Sequence, residues 1–187
     1  MEKGVSVERA VELACNSVMN LKIETVVLSK SYGRTLAESL NSKVDDPRFD
    51  NSAMDGWAVC SSDFLSEITI LKIVGTSKAG KSQPLKIRAG QACQIMTGAP
   101  MPVGADAIVV VENIQVKEYT ITLTGPPNKN YIRKKSENLS LGEEALFAGM
   151  RMTAASISLA ATMGFAEIKV VKKPKIAIIS TGDELVS

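Results

Sequence analysis

Across its 187 residues the sequence has no histidine. Its absence removes Ser-His-Asp and Cys-His nucleophile systems, histidine general bases and imidazole metal ligands. Any chemistry must rest on carboxylates, hydroxyls, lysines, arginines or the backbone. Cysteine is almost as scarce. Cys15, Cys60 and Cys93 are odd in number and far apart, without the close pairs of a zinc site, and read as reduced packing residues. No apolar run approaches the roughly 18 residues needed to span a bilayer, and no N-terminal segment resembles a signal peptide. No membrane association is therefore expected, and the cytoplasm is the default location. Net charge is nearly absent as well: 22 Lys and Arg face 20 Asp and Glu, which gives no general field for nucleic acid.

What is present suffices for a folded protein of one or two domains, since 45% of the residues are apolar. The densest stretch is Phe49 to Val59, FDNSAMDGWAV, which contains the only tryptophan. Asn51, Ser52 and the Asp55-Gly56 pair are turn formers, and Trp57-Ala58-Val59 is a short apolar run. A tight turn delivering a strand is expected, with Gly56 supplying positive φ.

Taken in order, the chain opens with an amphipathic helix. Ser6 is its N-cap, and Val7, Ala10, Val11, Ala14 and Val18 recur on one face, which is expected to be buried. Ile23 to Leu28 reads as a strand, Arg34 to Leu40 as a short helical piece, and Ile68 to Val74 as another strand. Gly75 to Pro84 reads as a solvated loop, because its glycines miss the phosphate-loop spacing. Ala107 to Val111 is a buried strand, and Glu112 to Leu123 is a pair of short strands. Arg133-Lys134-Lys135 is either a solvated face or a place to hold an oxyanion. Thr153 caps a helix from Ala154 to Met163 that is apolar nearly all round and so expected to be buried. Glu167 to Val171 is a strand. Lys175 to Ser180 begins a further, nearly unbroken apolar one of the parallel-sheet kind, whose crossover helix does not follow before Ser187. The chain is expected to be cut there.

Three strings share a resemblance. Phe49 to Val59, Thr97 to Val111 (TGAPMPVGADAIVVV) and Ser180 to Leu185 (STGDEL) resemble, in order and spacing, signatures of the MoeA family of molybdenum cofactor biosynthesis, to which the E domain of gephyrin is also similar. The resemblance covers essentially this whole chain, but only the first half of a typical member. It implies an α+β fold with a β-rich, barrel-like domain at 42–141 inserted in a small α/β domain formed by 23–41 and 142–173. An N-terminal helix at 1–22 would pack on a third domain, the truncated α/β pterin-binding one, which begins at 174–187 with its first strand; with that partner missing, Val7, Val11 and Val18 would be left exposed or borrowed by a neighbour.

The resemblance further implies transfer of molybdenum from molybdate to adenylated molybdopterin, delivered by the preceding adenylyltransferase, with release of AMP and with Mg²⁺ as the divalent cation. By carry-over, Asp55, Thr97 and Glu184 would be catalytic. Asn51, Ser52, Gly98, Arg133, Thr181 and Gly182 would bind substrate, and Asp55, Asp183 and Glu184 would hold the metal. Molybdate, an anion, would be expected on donors such as Ser52, Thr97 and Arg133, or on third-domain residues that this sequence does not include. In the family the run matching Ile132 to Asn138 contains an Arg and then a Gly-Glu-Asp triplet; here Ser136-Glu137-Asn138 replaces the last carboxylate by a neutral amide. The family site joins two subunits of a homodimer, so a chain of this extent is expected to be inactive alone. A non-catalytic, dimerising scaffold is the alternative reading.

Overall fold

The structure is a computed structural model and describes residues 4–16, 21–64, 69–80 and 84–177. It is a mixed α/β protein that divides into two compact units. One contains Met1–Leu40, Ala145–Ala161 and Phe165–Ser187; the other contains Asn41–Glu144 and Thr162–Gly164. The strands in chain order are β1 (Ile23–Val27), β2 (Leu40–Asn41), β3 (Asn51–Ser52), β4 (Gly56–Val59), β5 (Thr69–Ser77), β6 (Gln91–Ile95), β7 (Ala107–Val110), β8 (Ile114–Lys117), β9 (Thr120–Leu123), β10 (Ile132–Arg133), β11 (Glu144–Leu146) and β12 (Glu167–Val171). The helices are α1 (Val7–Asn16) and α2 (Ala154–Thr162).

In the first unit β1 and β12 form an antiparallel ribbon running from Ile23 opposite Val171 to Val27 opposite Glu167. Alternation along β12 buries Ile168 and Val170 and leaves Glu167 and Lys169 in water. Ser6 caps α1 as expected, accepting the Arg9 N–H at 3.2 Å. The apolar face of α1, however, is not covered: no residue of the helix is buried, and Val7 and Val11 are 76% and 56% exposed. Val18 lies outside the described residues.

At α2 the cap is reciprocal. The Ser156 N–H reaches Thr153 Oγ1 at 3.2 Å and the Thr153 N–H reaches Ser156 Oγ at 2.6 Å, which satisfies two of the otherwise unpaired terminal donors. The expected full burial of α2 does not occur. Only Ser156 and Ala160 are buried, so its mainly apolar composition was not a guide to its surroundings.

Two expectations fail on tertiary grounds. Arg34 to Leu40 is not helical: Leu36 donates to the Met150 carbonyl, Ala37 donates to that of Lys169, and Thr35 bridges to Arg151. Such long-range ladder bonds outweigh the weak helix preference of Leu36-Ala37-Glu38. The described part of the last expected strand, Lys175 to Ala177, is extended chain without strand pairing, and Ile178 to Ser187 fall outside the described residues.

The second unit is organised by one six-stranded sheet of order β7-β4-β6-β5-β9-β8. It curls into a half-barrel, the form the barrel-like expectation takes here, and its outer strand β7 is bridged at Ile108 by Asn128. All its pairs are antiparallel except β5 with β6, whose parallel arrangement uses residues 78–90 as the crossover. β5 continues to Ser77, so the expected loop from Gly75 is shorter at its start.

Both faces of the central strands are apolar. Trp57, Val59, Leu71, Val109, Ile121 and Leu123 fill one side, while Ala58, Ile95, Ala99, Ile108 and Ile132 fill the other. Each fully buried large side chain among them contributes about 1.5–3 kcal/mol.

Gly56 does not have the role that its Asp-Gly context suggests. It is the first residue of β4 and is not among the glycines with positive φ. A Cβ there would lie 2.2 Å from the Val109 carbonyl oxygen, so this glycine is required by the close approach of β7. Gly56→Ala is expected to lower stability by about 3 kcal/mol or more in urea unfolding, because the obstacle is backbone and cannot rotate away.

Asp106, just before β7, ties the turn that follows β4. It accepts the Ser61 N–H at 2.6 Å and the Ser61 hydroxyl at 2.7 Å, and pairs with Lys129 at 2.8 Å. Burial pushes its carboxyl up, but the hydrogen bonds from Lys129 and Ser61 prevail and hold it at about 2. Since the folded value lies below the unfolded one of roughly 3.9, this stabilisation is complete above pH 4 and is lost as pH falls toward 2. Asp106→Asn is expected to flatten the stability profile across that window in acid unfolding.

Candidate functional site

Two of the three strings, Phe49 to Val59 and Thr97 to Val111, meet the basic run around β3. β3 pairs antiparallel with β10, setting Ser52 opposite Ile132 and Asn51 opposite Arg133. On the other side the Thr97-to-Pro102 loop is stitched to the same strand: Gly98 donates to the Ser52 carbonyl at 2.8 Å, Ser52 to that of Ala99 at 3.1 Å, and Met101 to that of Asp50 at 2.9 Å. Thr97 and Gly98 are the central pair of a turn closed by the Ala99 N–H on the Met96 carbonyl. Gly98 has φ +77 in the third position, where a type II turn requires glycine.

Asp55 and Thr97 form a direct contact between the two loops. Asp55 Oδ1 accepts the Thr97 N–H at 2.7 Å and the Thr97 hydroxyl at 3.0 Å. These two bonds hold its carboxyl below the ordinary carboxylate range, the backbone one having the larger effect. Both residues are exposed, as is Arg133.

Asn51 and Ser52 are positioned differently. Both are buried. The Ser52 hydroxyl donates to the Met54 carbonyl and accepts its N–H at 3.2 Å, while the Asn51 amide donates to the Phe49 carbonyl at 3.2 Å. Their polar groups brace the loop through its own backbone, whereas Asp55, Thr97 and Arg133 are open to water.

The basic run is more structured than its sequence indicated. Asp50 Oδ2 accepts from Lys134 Nζ at 2.8 Å, and its Oδ1 accepts the Lys135 N–H at 2.8 Å. The Lys134 bond is the main reason why the Asp50 carboxyl is held low. Asp45 pairs with Lys135 Nζ at 3.1 Å and accepts from Leu141 N and Ser136 Oγ, both at 2.8 Å; these bonds lower its carboxyl too, that from Leu141 most. Arg133 has no ion-pair partner among the described residues. Ser136 has φ +63, a conformation glycine enters freely and other residues at a cost. Asn138 donates its amide to Asp46 Oδ2 at 3.1 Å.

Asp45 and Asp50 were not foreseen as partners of the basic run. Asp50 is 84 residues from Lys134 and Asp45 is 91 from Ser136, so no local pattern could reveal either pairing. Thr181, Gly182, Asp183 and Glu184 lie outside the described residues. Among those described, no group of three or more acidic or cysteine side chains is placed to hold a metal. Asp55 is a single carboxylate with one oxygen already taken up by Thr97, and Mg²⁺ requires a nearly octahedral set of oxygens. The described residues do not by themselves fit the cation. No described helix is long and apolar enough to cross a membrane.

A two-unit α/β chain whose open sheet presents three loops around one short strand defines a class of protein that the comparisons identify. The family described as the MoeA N-terminal region (domain I and II) matches residues 5–164. A molybdopterin molybdenumtransferase of Synechococcus elongatus is 39% identical, with 97% of this chain and 47% of the relative aligned. One of Haemophilus influenzae is also 39% identical, over 87% of this chain and 41% of the relative. A crystal structure of the molybdopterin biosynthesis MoeA protein of Pyrococcus horikoshii superposes with a TM-score of 0.80 at 31% identity, covering 92% of this chain and 45% of its own. The chain belongs to the MoeA family. It spans less than half the length of these curated relatives.

Thr97→Val keeps the backbone bond to Asp55 and removes the hydroxyl one. The Asp55 carboxyl is expected to rise toward the ordinary range, without reaching it, in a carbon-detected NMR titration; an unchanged midpoint would show that the hydroxyl does not stabilise the carboxylate.

Proposed function

We propose that this chain acts in molybdenum cofactor biosynthesis, supplying one wall of a site that transfers molybdenum from molybdate to adenylated molybdopterin with release of AMP. The reading is supported by family membership and, above all, by the Asp55–Thr97 contact, which puts a carboxylate and a hydroxyl at the exposed tips of two loops on a braced strand. A carboxylate held this low is a weak base. It is suited to orienting a water or a hydroxyl and little suited to abstracting a proton. Arg133 supplies the fixed positive charge that an oxyanion or phosphoanhydride needs, since its guanidinium cannot be neutralised at working pH.

The second wall would come from elsewhere in a homodimer, and adenylated molybdopterin would arrive from the adenylyltransferase acting before it, in the cytoplasm. Mg²⁺, with Asp183 and Glu184, belongs to that same proposal, and no step here depends on it. The 187 residues alone are proposed not to turn over, because they would supply little more than one wall of the site.

The test joins residues 1–187 to the remaining portion of the Synechococcus relative and follows AMP release from adenylated molybdopterin with molybdate. The chimera is expected to be active and the chain alone inactive. Asp55→Ala in the chimera should lower kcat by about 100-fold. Full activity of that variant, or turnover by the chain alone, would refute the assignment.

A further inference from the structure

Of the three consecutive cations Arg133, Lys134 and Lys135, two are neutralised within the fold. Lys134 lies on Asp50 and Lys135 on Asp45. Neither carboxylate is a casual neighbour. The second oxygen of Asp50 is fixed by the Lys135 backbone N–H, and Asp45 is fixed by Leu141 N and Ser136 Oγ. Both therefore hold their positions whether or not a lysine is present, and each lysine lies against an anchored anion. Arg133 is exposed and has no acidic partner among the described residues, and its register opposite Asn51 sets it on β10, beside the strand that leads into the Asp55 loop.

We infer that Asp50 and Asp45 are specificity-determining residues: they silence Lys134 and Lys135 and leave Arg133 as the sole cation of the run for one tetrahedral oxyanion. The physical consequence is selectivity of geometry. A compact ammonium attracts any anion from any direction, whereas a planar guanidinium takes two oxygens of a tetrahedral group side by side. Three free cations would hold polyanions loosely and without orientation. One free fork, flanked by two neutral pairs, orients a single group.

This inference rests on the oxyanion-binding part of the function proposed above and on none of its molybdenum chemistry. The ligand class is shared by molybdate and by a phosphoryl group, and separate titrations distinguish them.

The experiment titrates the 187-residue chain with sodium molybdate and, in parallel, with sodium phosphate by calorimetry at low ionic strength, where screening is weak. The stronger of the two binders identifies the source. Arg133→Gln should weaken binding by at least about tenfold. Asp50→Asn keeps an acceptor for the Lys135 N–H and frees Lys134, so it should tighten binding about two- to fivefold. Asp50→Asn with Lys134→Gln deletes the pair as a neutral unit and should bind like the unmodified chain. Glu112→Gln, which removes an exposed charge elsewhere, should also leave affinity unchanged and so exclude a mere change in net charge. A purely structural role for Asp50 would instead make Asp50→Asn bind more weakly. That result, loss of binding in the double variant, binding that survives Arg133→Gln, or no oxyanion binding to the unmodified chain would each overturn the inference. If the titrations behave as expected while the chimera releases no AMP, the oxyanion site stands and the transferase reading falls.

Discussion

The register between β4 and β6 is the constraint on which the rest of the second unit depends. Gly56 stands opposite Ile95, which brings Asp55, one residue earlier, alongside the turn that follows Ile95 and within reach of the Thr97 N–H. The same register sends Trp57 to one core and Ala58 to the other. A slip of one residue would exchange these faces, place an indole where only a methyl group fits, and separate Asp55 from Thr97. Gly56 enforces it from the opposite side, since only a residue without a side chain lets β7 lie against β4. Packing and site geometry are thus one requirement met twice.

Around that register the polar groups divide by burial. Asn51 and Ser52 are buried and bond neighbouring backbone groups, and an unmade bond there would cost about 1–3 kcal/mol. Asp55, Thr97 and Arg133 point outward and contribute little to stability. The loop can therefore present reactive groups at its tip because its base is fully bonded. In the basic run the lysine pairs are solvent-exposed and contribute little to stability, so their effect is to shape the local field.

Much of this was legible in the sequence, and the exceptions share a cause. The strand after Asp55-Gly56, the apolar Ala107–Val110 strand, the β8–β9 hairpin and both helix caps follow from local turn chemistry, periodicity and capping. The failures arise where distant chain decides. Arg34 to Leu40 is recruited into hydrogen bonds with Met150 and Lys169, and Asp45 and Asp50 select partners across more than 80 residues. Gly56 is instructive because the residue was correctly marked as special for the wrong reason. Asp-Gly is so strong a turn signal that it conceals a steric demand visible only once β7 is in place.

The absence of histidine takes on a sharper meaning beside these geometries. Asp45, Asp50 and Asp55 are each held below the ordinary carboxylate range by bonds from the loops they join. These three carboxylates therefore stay charged through neutral pH. The field of the site is accordingly a fixed property of the fold, set by which carboxylate reaches which cation. Recognition there can be altered by moving a loop or replacing a partner, and not by the titration of a switch residue.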